Sequence, residues 1–456
     1  MAHAPGAAGD RQHIRLPWLA ASLAAAALAW WAAPADAPVR AGLAIFTLAA
    51  ALWLTQALPL AATALLVPLL AVLTGIQAPA PALAPFASPI LFLFLGGFAL
   101  AAALQQHGLA QALASRVLQM AGGRRARAVV LLAGFTALAS MWMSNTAAAA
   151  LMLPLALALL DGQDEAPGPG EQAFTLLALT YSCALGGMAS LVSTPPNAMA
   201  SAHAGLSFGA WFARAAPVAL LLWTGMLLVL YLSLRPRLAG RIAVAPAPWR
   251  WDRARIATAL IFVATVTGWA GGATLGRLLG IASDTSALVG IAAVVALLAT
   301  GALDWRALER QVQWGVLVLF GGGLALSSVM DASGASAFLV QRLLALLAGA
   351  PPTLLLLGVV AFIVLLSELM SNTASAALAL PLFMPMAPAL GLAPEAMAMA
   401  IALAASCGFM LPVATPPNAM VFGTGRVPQR MMMRAGWKLD LLCIAGITAA
   451  ARWAWA

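Results

Sequence analysis

The phrase SMWMSNTA at residues 140–147 returns as SELMSNTA at residues 367–374, 227 positions later. Each copy lies near the middle of a long apolar segment, the first in residues 128–160 and the second in residues 353–390. In lipid, a break in the helical backbone is tolerated only inside protein or beside water. The repeated polar triplet Ser-Asn-Thr therefore marks two candidate sites within a membrane-embedded chain.

The composition is that of a polytopic helical membrane protein. Of 456 residues, 63% are hydrophobic and 8% are charged, whereas soluble domains average about 45–50% and about 25%. The apolar runs are continuous over about 20 residues, the length of one membrane-spanning helix, and lack the alternation of a transmembrane barrel. Soluble enzymes, disordered proteins and disulfide-stapled domains are excluded. The net charge of +9 does not indicate a nucleic-acid partner, because the basic residues lie in short loops between apolar runs.

About eleven apolar runs are predicted to cross the bilayer, which makes the fold class all-α. They are residues 17–34, 41–57, 59–75, 88–106, 172–193, 212–234, 257–275, 285–301, 313–330, 394–413 and 437–455. With these spans, 18 of the 23 basic residues fall on one side. Because Lys and Arg concentrate in cytoplasmic loops, that side is the cytoplasm, and the N-terminus lies inside.

The two segments that carry the repeated phrase do not fit a simple crossing. Residues 128–160 are too many for one span and too few for two spans with a turn. We therefore predict two re-entrant helical hairpins, 128–160 and 353–390, each of which turns near the middle of the membrane.

Other phrases recur in the same order, so the chain consists of duplicated halves. FLGG at 94–97 matches FGGG at 320–323, and TPPNAM at 194–199 matches TPPNAM at 415–420. Five crossings separate the span at 88–106 from its partner at 313–330, and an odd number inverts the second copy. Inverted repeats with broken helices that meet at the midplane are typical of secondary transporters.

The predicted organisation has four parts. They are N-terminal helices at 1–87, mainly scaffold; a first repeat core at 88–234, with its hairpin and a broken helix at 172–209; a cytoplasmic linker at 235–256; and a second repeat at 257–456, with its hairpin and a broken helix at 394–424.

The chemistry of the repeated motifs suits an anion and a cation together. Each Ser-Asn-Thr precedes a helix whose first amides have no intrahelical partner, and such an end binds carboxylate, phosphate or sulfate. Each Thr-Pro-Pro-Asn interrupts a helix and frees carbonyl oxygens that a cation can use. The alternatives are ordinary helix caps and simple proline kinks. Since the hairpins and proline breaks contain no Lys or Arg, an anion needs a co-bound cation to compensate its charge.

Two further observations bear on function. Glu368 is the one acid inside a hairpin; it either relays protons, contributes to a cation site, or is a structural residue hydrogen-bonded to backbone. No histidine lies near Ser144 or Ser371 in sequence, and no GxSxG, HExxH or Gly-rich phosphate loop occurs. The sequence is therefore not predicted to be an enzyme.

These residues resemble the divalent anion–sodium symporter family, which includes sodium/dicarboxylate and sodium/sulfate transporters. The resemblance covers roughly residues 85–455 and is strongest at the two Ser-Asn-Thr phrases and at CGFMLPVATPPN, residues 407–418. It implies a homodimer with scaffold and transport domains that works as an elevator. By similarity, the anion would contact Ser144, Asn145, Thr146, Thr194, Pro195, Ser371, Asn372, Thr373, Thr415 and Pro416. One sodium ion would use Ser140, Ser144, Asn145 and Ser193, and a second Ser367, Met370, Asn372 and Ala414.

The function expected from the resemblance is sodium-coupled uptake of a divalent anion, with a C4-dicarboxylate such as succinate, fumarate or malate favoured. Sodium-independent dicarboxylate exchange, and sodium-coupled transport of sulfate or citrate, remain alternatives. The expected partners are the anion, sodium and the lipid bilayer, with no cofactor. The expected location is the plasma membrane of a bacterium, its inner membrane.

Overall fold

The computed structural model describes residues 15–33, 36–161, 167–241, 251–281, 284–346 and 349–455. Within these ranges the chain is helical and has no strand; an isolated antiparallel bridge joins Arg124 to Arg241. The first 14 residues and positions 242–250, the middle of the predicted linker, lie outside the described residues.

The helices are numbered α1 to α22 in chain order. They are α1 Leu16–Ala32, α2 Ala37–Thr55, α3 Leu60–Leu73, α4 Pro79–Leu83, α5 Pro89–Gln106, α6 Leu109–Gln119, α7 Arg125–Ser140, α8 Asn145–Asp161, α9 Pro169–Gly187, α10 Pro195–Ala204, α11 Phe208–Leu234, α12 Arg253–Ala270, α13 Gly272–Leu279, α14 Ser286–Ala299, α15 Trp305–Gln311, α16 Trp314–Ala332, α17 Ala335–Leu346, α18 Pro352–Leu369, α19 Asn372–Phe383, α20 Pro394–Ala405, α21 Pro416–Gly423 and α22 Gln429–Ala449, which continues as one π-helical turn, Ala450–Ala454.

Each predicted span coincides with a helix, but not every helix is long enough to cross a membrane. Five stretches of the described chain are, by length and composition: Ala37–Thr55, Pro79–Gln106, Phe208–Leu234, Trp314–Ala332 and Pro352–Leu369. Several shorter helices are also apolar, including α3, α8, α14 and α20. The number of crossings therefore stays a prediction. Short helices such as α6 and α15 were not anticipated, because they are shorter than a span and carry the basic residues of predicted loops.

Both repeated phrases interrupt their apolar segments as predicted. In the first segment α7 ends at Ser140 and α8 begins at Asn145. In the second, α18 ends at Leu369 and α19 begins at Asn372. Each segment is therefore a pair of half-helices with the Ser-Asn-Thr triplet at the break.

The helices before the proline pairs are shorter than predicted. α9 ends at Gly187 rather than near residue 193, and α20 ends at Ala405 rather than near residue 413. Residues 188–194 and 406–415 are irregular, and the proline pairs begin new helices instead of ending old ones. The sequence prediction was wrong here because proline is well tolerated in the first turn of a helix, and other groups bind the freed carbonyls.

Helices of each repeat pack against helices of the other repeat. α3 to α11 recur as α14 to α22 in the same order. α5 packs on α14 of the other half, and α3 packs on α16. At the first crossing a Cβ on Gly96 would lie 2.5 Å from the Gly290 Cα, and at the second a Cβ on Gly322 would lie 2.7 Å from the Ala64 Cα. Such close backbone approach between helices needs small residues.

Candidate functional site

The first hairpin break holds a compact group of hydroxyls around one amide. Ser144 Oγ accepts a hydrogen bond from the Ala147 amide at 3.3 Å and so caps α8. Ser140 Oγ lies 2.8 Å from both Asn145 Oδ1 and the carbonyl oxygen of Cys183. Ser193 Oγ lies 3.4 Å from the same Asn145 oxygen. Four of the predicted site residues are thus brought together.

The second hairpin break repeats this arrangement. Ser371 Oγ accepts from the Ala374 amide at 3.2 Å. Ser367 Oγ lies 3.0 Å from Asn372 Oδ1 and 2.7 Å from the Ala405 carbonyl oxygen. Capping therefore does occur at both breaks, and it leaves the Asn145 and Asn372 side chains bonded to serine hydroxyls.

The asparagine of each Thr-Pro-Pro-Asn holds the unwound segment before it. Asn197 Nδ2 donates to the carbonyls of Gly187 and Ser190 at 2.9 and 2.8 Å. Asn418 Nδ2 donates to the carbonyls of Gly408 and Leu411 at 2.9 and 3.1 Å. Neither asparagine was among the predicted site residues, although each directly follows a proline pair in both repeats. A carbonyl oxygen has two lone pairs, so these carbonyls can still accept a second partner.

One turn of α9 joins the two halves of the site. Thr180 Oγ1 donates to Asn418 Oδ1 at 2.9 Å, and the Tyr181 hydroxyl donates to the Phe409 carbonyl at 2.6 Å. In the same turn the Cys183 carbonyl contacts Ser140 of the first hairpin. The broken helices of both repeats therefore meet around residues 180–183.

The residues predicted only for sodium are more buried than those predicted for the anion, whereas Ser144, Asn145 and Asn372, predicted for both, are half-buried. Most of the predicted sodium residues are buried: Ser140, Ser193, Ser367, Met370 and Ala414. The predicted anion residues are more open: Thr146 and Pro416 are exposed, and Ser144, Asn145, Pro195, Ser371, Asn372 and Thr373 are half-buried, whereas Thr194 and Thr415 are buried. The arrangement offers an accessible face of amides and hydroxyls above a buried layer of oxygen atoms.

Comparison with known proteins decides the family. The family model CitMHS, described as "Citrate transporter", matches residues 50–404. The chain belongs to this citrate transporter family. The resemblance to divalent anion–sodium symporters is thereby confirmed.

Relatives of this citrate transporter family member are named as transporters, and the matches cover most of both chains. An "Uncharacterized transporter" of Haemophilus influenzae is 40% identical over 421 residues, which cover 91% of each chain. The "Sodium-dependent dicarboxylate transporter SdcS" of Staphylococcus saprophyticus is 31% identical and covers 87% of this chain and 82% of its own. The crystal structure of the Alcanivorax borkumensis YdaH transporter matches with a TM-score of 0.57 at 16% identity, over 82% of this chain and 87% of that one. That last likeness concerns the fold. The protein is thus a multi-pass membrane transporter, in line with the prediction against an enzyme.

The two Thr-Pro-Pro-Asn motifs of this family member differ in how many of their side-chain oxygen atoms have a hydrogen-bond partner. In the first, Thr194 Oγ1 and Asn197 Oδ1 are buried without a hydrogen-bond partner among the described residues. In the second, Thr415 Oγ1 accepts from the Asn418 amide at 3.3 Å, and Asn418 Oδ1 is bonded to Thr180. Among the described residues, the first Thr-Pro-Pro-Asn motif therefore has more buried oxygen atoms without a hydrogen-bond partner than the second.

Glu368 is hydrogen-bonded to backbone amides, as one of the three roles predicted for it requires. Its carboxylate accepts hydrogen bonds from three consecutive amides, those of Phe409, Met410 and Leu411, the latter two at 2.7 and 3.0 Å. Met141 stands at the matching position of the first half. The Glu368 carboxylate therefore stabilises the unwound segment of the second half. The first half has no carboxylate at the matching position.

We expect Gly187→Ala to impair transport far more than Gly408→Ala, although the two glycines are equivalent by position. A Cβ at Gly187 would lie 2.6 Å from Ser193 Oγ and 2.7 Å from Asn145 Oδ1, which would force the polar cluster apart. A Cβ at Gly408 would meet the Ala414 Cβ at 3.2 Å and the Ser367 carbonyl oxygen at 3.5 Å, contacts that need little adjustment. Initial rates of substrate uptake by the two reconstituted variants test this; equal losses would contradict the importance of the Asn145 cluster.

Proposed function

We propose that this protein is a secondary active transporter that couples sodium to the uptake of a C4-dicarboxylate such as succinate, fumarate or malate. The observation that carries the proposal is that one turn of α9 contacts both repeats, through Ser140 of the first hairpin break on one side and Asn418 of the second proline pair on the other. The names of the 30–31% identical relatives support both the dicarboxylate and the sodium.

The anion is proposed to bind at the accessible face of the site. Four helices begin there, α8, α10, α19 and α21. Their first amides and the hydroxyls and amides of Ser144, Asn145, Thr146, Thr194, Ser371, Asn372, Thr373 and Thr415 supply the donors, with Pro195 and Pro416 in the wall. The start of a helix carries partial positive charge and unpaired N–H groups, which suit a carboxylate. A dianion with two separated carboxylates can then be held from both halves at once.

Sodium is proposed to occupy the buried layer. Ser140, Ser144, Asn145 and Ser193 would hold one ion, and Ser367, Met370, Asn372 and Ala414 the other, partly through backbone carbonyls. Hard oxygen atoms of this kind suit a small hard cation. Since the hairpins contain no basic side chain, the bound cations would supply most of the compensation for the charge of the anion.

The remaining features follow from the same proposal. The eleven spans and two re-entrant hairpins, the scaffold at residues 1–87, the repeats at 88–234 and 257–456, the homodimer and the elevator movement are proposed for this chain, in a bacterial inner membrane. Cysteine cross-linking across the two hairpin tips and across the dimer would test them.

An inward sodium gradient is expected to drive uptake of labelled succinate into proteoliposomes that contain the purified protein. Replacing sodium with potassium at equal ionic strength should reduce the initial rate by at least tenfold, because the anion would then bind without compensating charge. Uptake that needs internal dicarboxylate instead of sodium would identify the exchanger alternative. Uptake that ignores both would overturn the coupling.

Citrate is a second candidate substrate, favoured by the description of the matching family. Competition between labelled succinate and excess unlabelled succinate, citrate or sulfate distinguishes the anions. We expect succinate to compete best; stronger competition by citrate at a pH where it is a dianion would transfer the proposal to citrate.

A further inference from the structure

An apolar groove lies beside the second hairpin, between α17, α18 and the end of α19. Its volume is about 650 Å³, which is within the range of about 300–1,000 Å³ that is usual for ligand sites. None of its lining residues belongs to the candidate site for the anion and sodium. Among the described residues that line it, all are apolar except Arg342. The groove therefore suits a ligand with a long apolar part and an anionic part.

The groove exists because two consecutive helices of the second half do not pack closely on each other. In the first half, α6 packs on α7. Their counterparts α17 and α18 both pack on α19, but among the described residues they make no comparable contact with each other. The rings of Phe362 on α18 and Phe383 on α19 lie 5.8 Å apart and both line the gap. Leu354 and Phe362 are left 58% and 50% exposed, so apolar surface is available to a molecule in the groove.

The open space reaches the backbone of α18 at Gly358. This glycine lines the groove one turn from both Leu354 and Phe362. A Cβ at Gly358 would meet no other atom within 4 Å beyond its own helical backbone. A larger side chain at this position would therefore fill the groove without displacing a neighbour.

Arg342 is exposed at the groove and has no acidic partner. Its guanidinium carbon lies 5.4 Å from the centre of the Phe338 ring, and among the described residues it forms no ion pair. The ring contacts the face of the guanidinium, so the N–H donors in its plane stay available. Such a fork of donors matches the oxygen atoms of a phosphate. The groove therefore combines an apolar surface with an unpaired cation that fits a phosphate group.

The charged and apolar parts of the groove are arranged in the order expected for a membrane lipid. α17 packs on α19 and on the turn Met384–Met386, which places Arg342 near the open end of the hairpin. From that end the groove follows α18 from Leu354 to Phe362, about 12 Å of helix, towards the break at Asn372. The break is predicted to lie near the middle of the membrane, so an acyl chain in the groove would point into the bilayer.

We propose that this groove binds one anionic phospholipid of the surrounding bilayer, with an acyl chain between α17 and α18 and the phosphate at the Arg342 guanidinium. The lipid fills a gap that direct packing of α6 on α7 closes in the first half. It thereby stabilises the position of α17 against the second hairpin. Phosphatidylglycerol has the required net negative charge. Phosphatidylcholine with the same acyl chains does not, because its choline cation offsets the phosphate.

Native mass spectrometry of the full-length protein, titrated with either lipid, tests the proposal. We expect the wild-type protein to bind the first phosphatidylglycerol roughly tenfold more tightly than phosphatidylcholine, the effect of one hydrogen bond to a charged group. Arg342→Gln should lower the affinity for phosphatidylglycerol to that for phosphatidylcholine. Gly358→Leu keeps the arginine but fills the groove, and should weaken the binding of both lipids. Gly358→Ala adds only a methyl group and should bind as wild type.

Arg277→Gln is the matched control, because Arg277 is an exposed arginine on α13 that does not line the groove. It should bind phosphatidylglycerol as the wild type does. Equal affinity of the wild type for both lipids, or an unchanged preference in Arg342→Gln, would mean ordinary contact with the bilayer and overturn the proposal. Displacement of the lipid by glycerol phosphate would identify a free phosphate ligand instead. Fewer chains per particle in the groove variants, with unchanged lipid binding, would assign the groove to a second copy of the chain.

Thermal unfolding in detergent gives a second readout that needs no transport substrate, so it is independent of the proposed function. A ligand that binds only the folded state stabilises it. Phosphatidylglycerol should therefore raise the melting temperature of the wild type and of Arg277→Gln more than phosphatidylcholine does. This difference should be absent in Arg342→Gln and in Gly358→Leu, which should fold because leucine favours a helix more than glycine does. An undiminished difference in both groove variants would overturn the proposal.

Discussion

Replacing Asn145 or Asn372 with alanine is expected to abolish transport while leaving insertion and folding intact. Asn145 Oδ1 is the shared partner of Ser140 and Ser193, and Asn372 Oδ1 is the partner of Ser367. The substitution removes a proposed ligand of both the anion and a cation. A hydrogen bond to a charged group contributes about 1.5–3 kcal/mol, which corresponds to roughly a 10- to 100-fold change in affinity for each lost bond. The combined loss should take uptake below detection.

The measurement is initial uptake of labelled succinate under a sodium gradient, normalised to the amount of protein in the vesicles. Thr224→Ala is a suitable control, because this threonine is exposed on α11 and, among the described residues, its hydroxyl bonds only the carbonyls of Leu220 and Leu221 in its own helix. The control should transport normally. If either asparagine variant retained near-normal uptake, the hairpin breaks would be helix caps without a role in binding.

Glu368→Leu is expected to destabilise the protein and stop transport together. It would leave the buried Phe409 amide and the amides of the half-buried residues Met410 and Leu411 without their acceptor. An unsatisfied buried amide costs about 1–3 kcal/mol, so the free energy of unfolding should fall by at least that amount. The irregular segment before the second proline pair would lose its main side-chain anchor on α18.

Thermal unfolding in detergent and uptake in vesicles check this result. Met141→Leu, at the matching position of the first half, should behave as wild type because no carboxylate is involved there. Glu368→Gln keeps one acceptor oxygen and should lose less stability than Glu368→Leu. A Glu368→Leu protein that melts at the wild-type temperature would show that the segment is held by other contacts.

The periodic and compositional features of this protein were predictable from sequence. Both helix breaks at Ser-Asn-Thr were found where the repeated phrase placed them, since polar triplets in long apolar segments leave few other conformations. The family was predictable as well, because paired Ser-Asn-Thr and paired Thr-Pro-Pro-Asn form a specific combination. The short helices α6, α15 and α17 were not, since nothing in a loop-length segment distinguishes a surface helix from a turn.

Within the site, the sequence alone determined which residue types gather at the four breaks, because each hydroxyl and amide stands beside a proline pair or a helix start that is local in the chain. Only the tertiary structure decided their partners. The hydrogen bonds from Thr180 to Asn418 and from Tyr181 to the Phe409 carbonyl join residues 238 and 228 positions apart. Such contacts arise from close packing of helices at glycines like Gly436, which local sequence patterns do not encode.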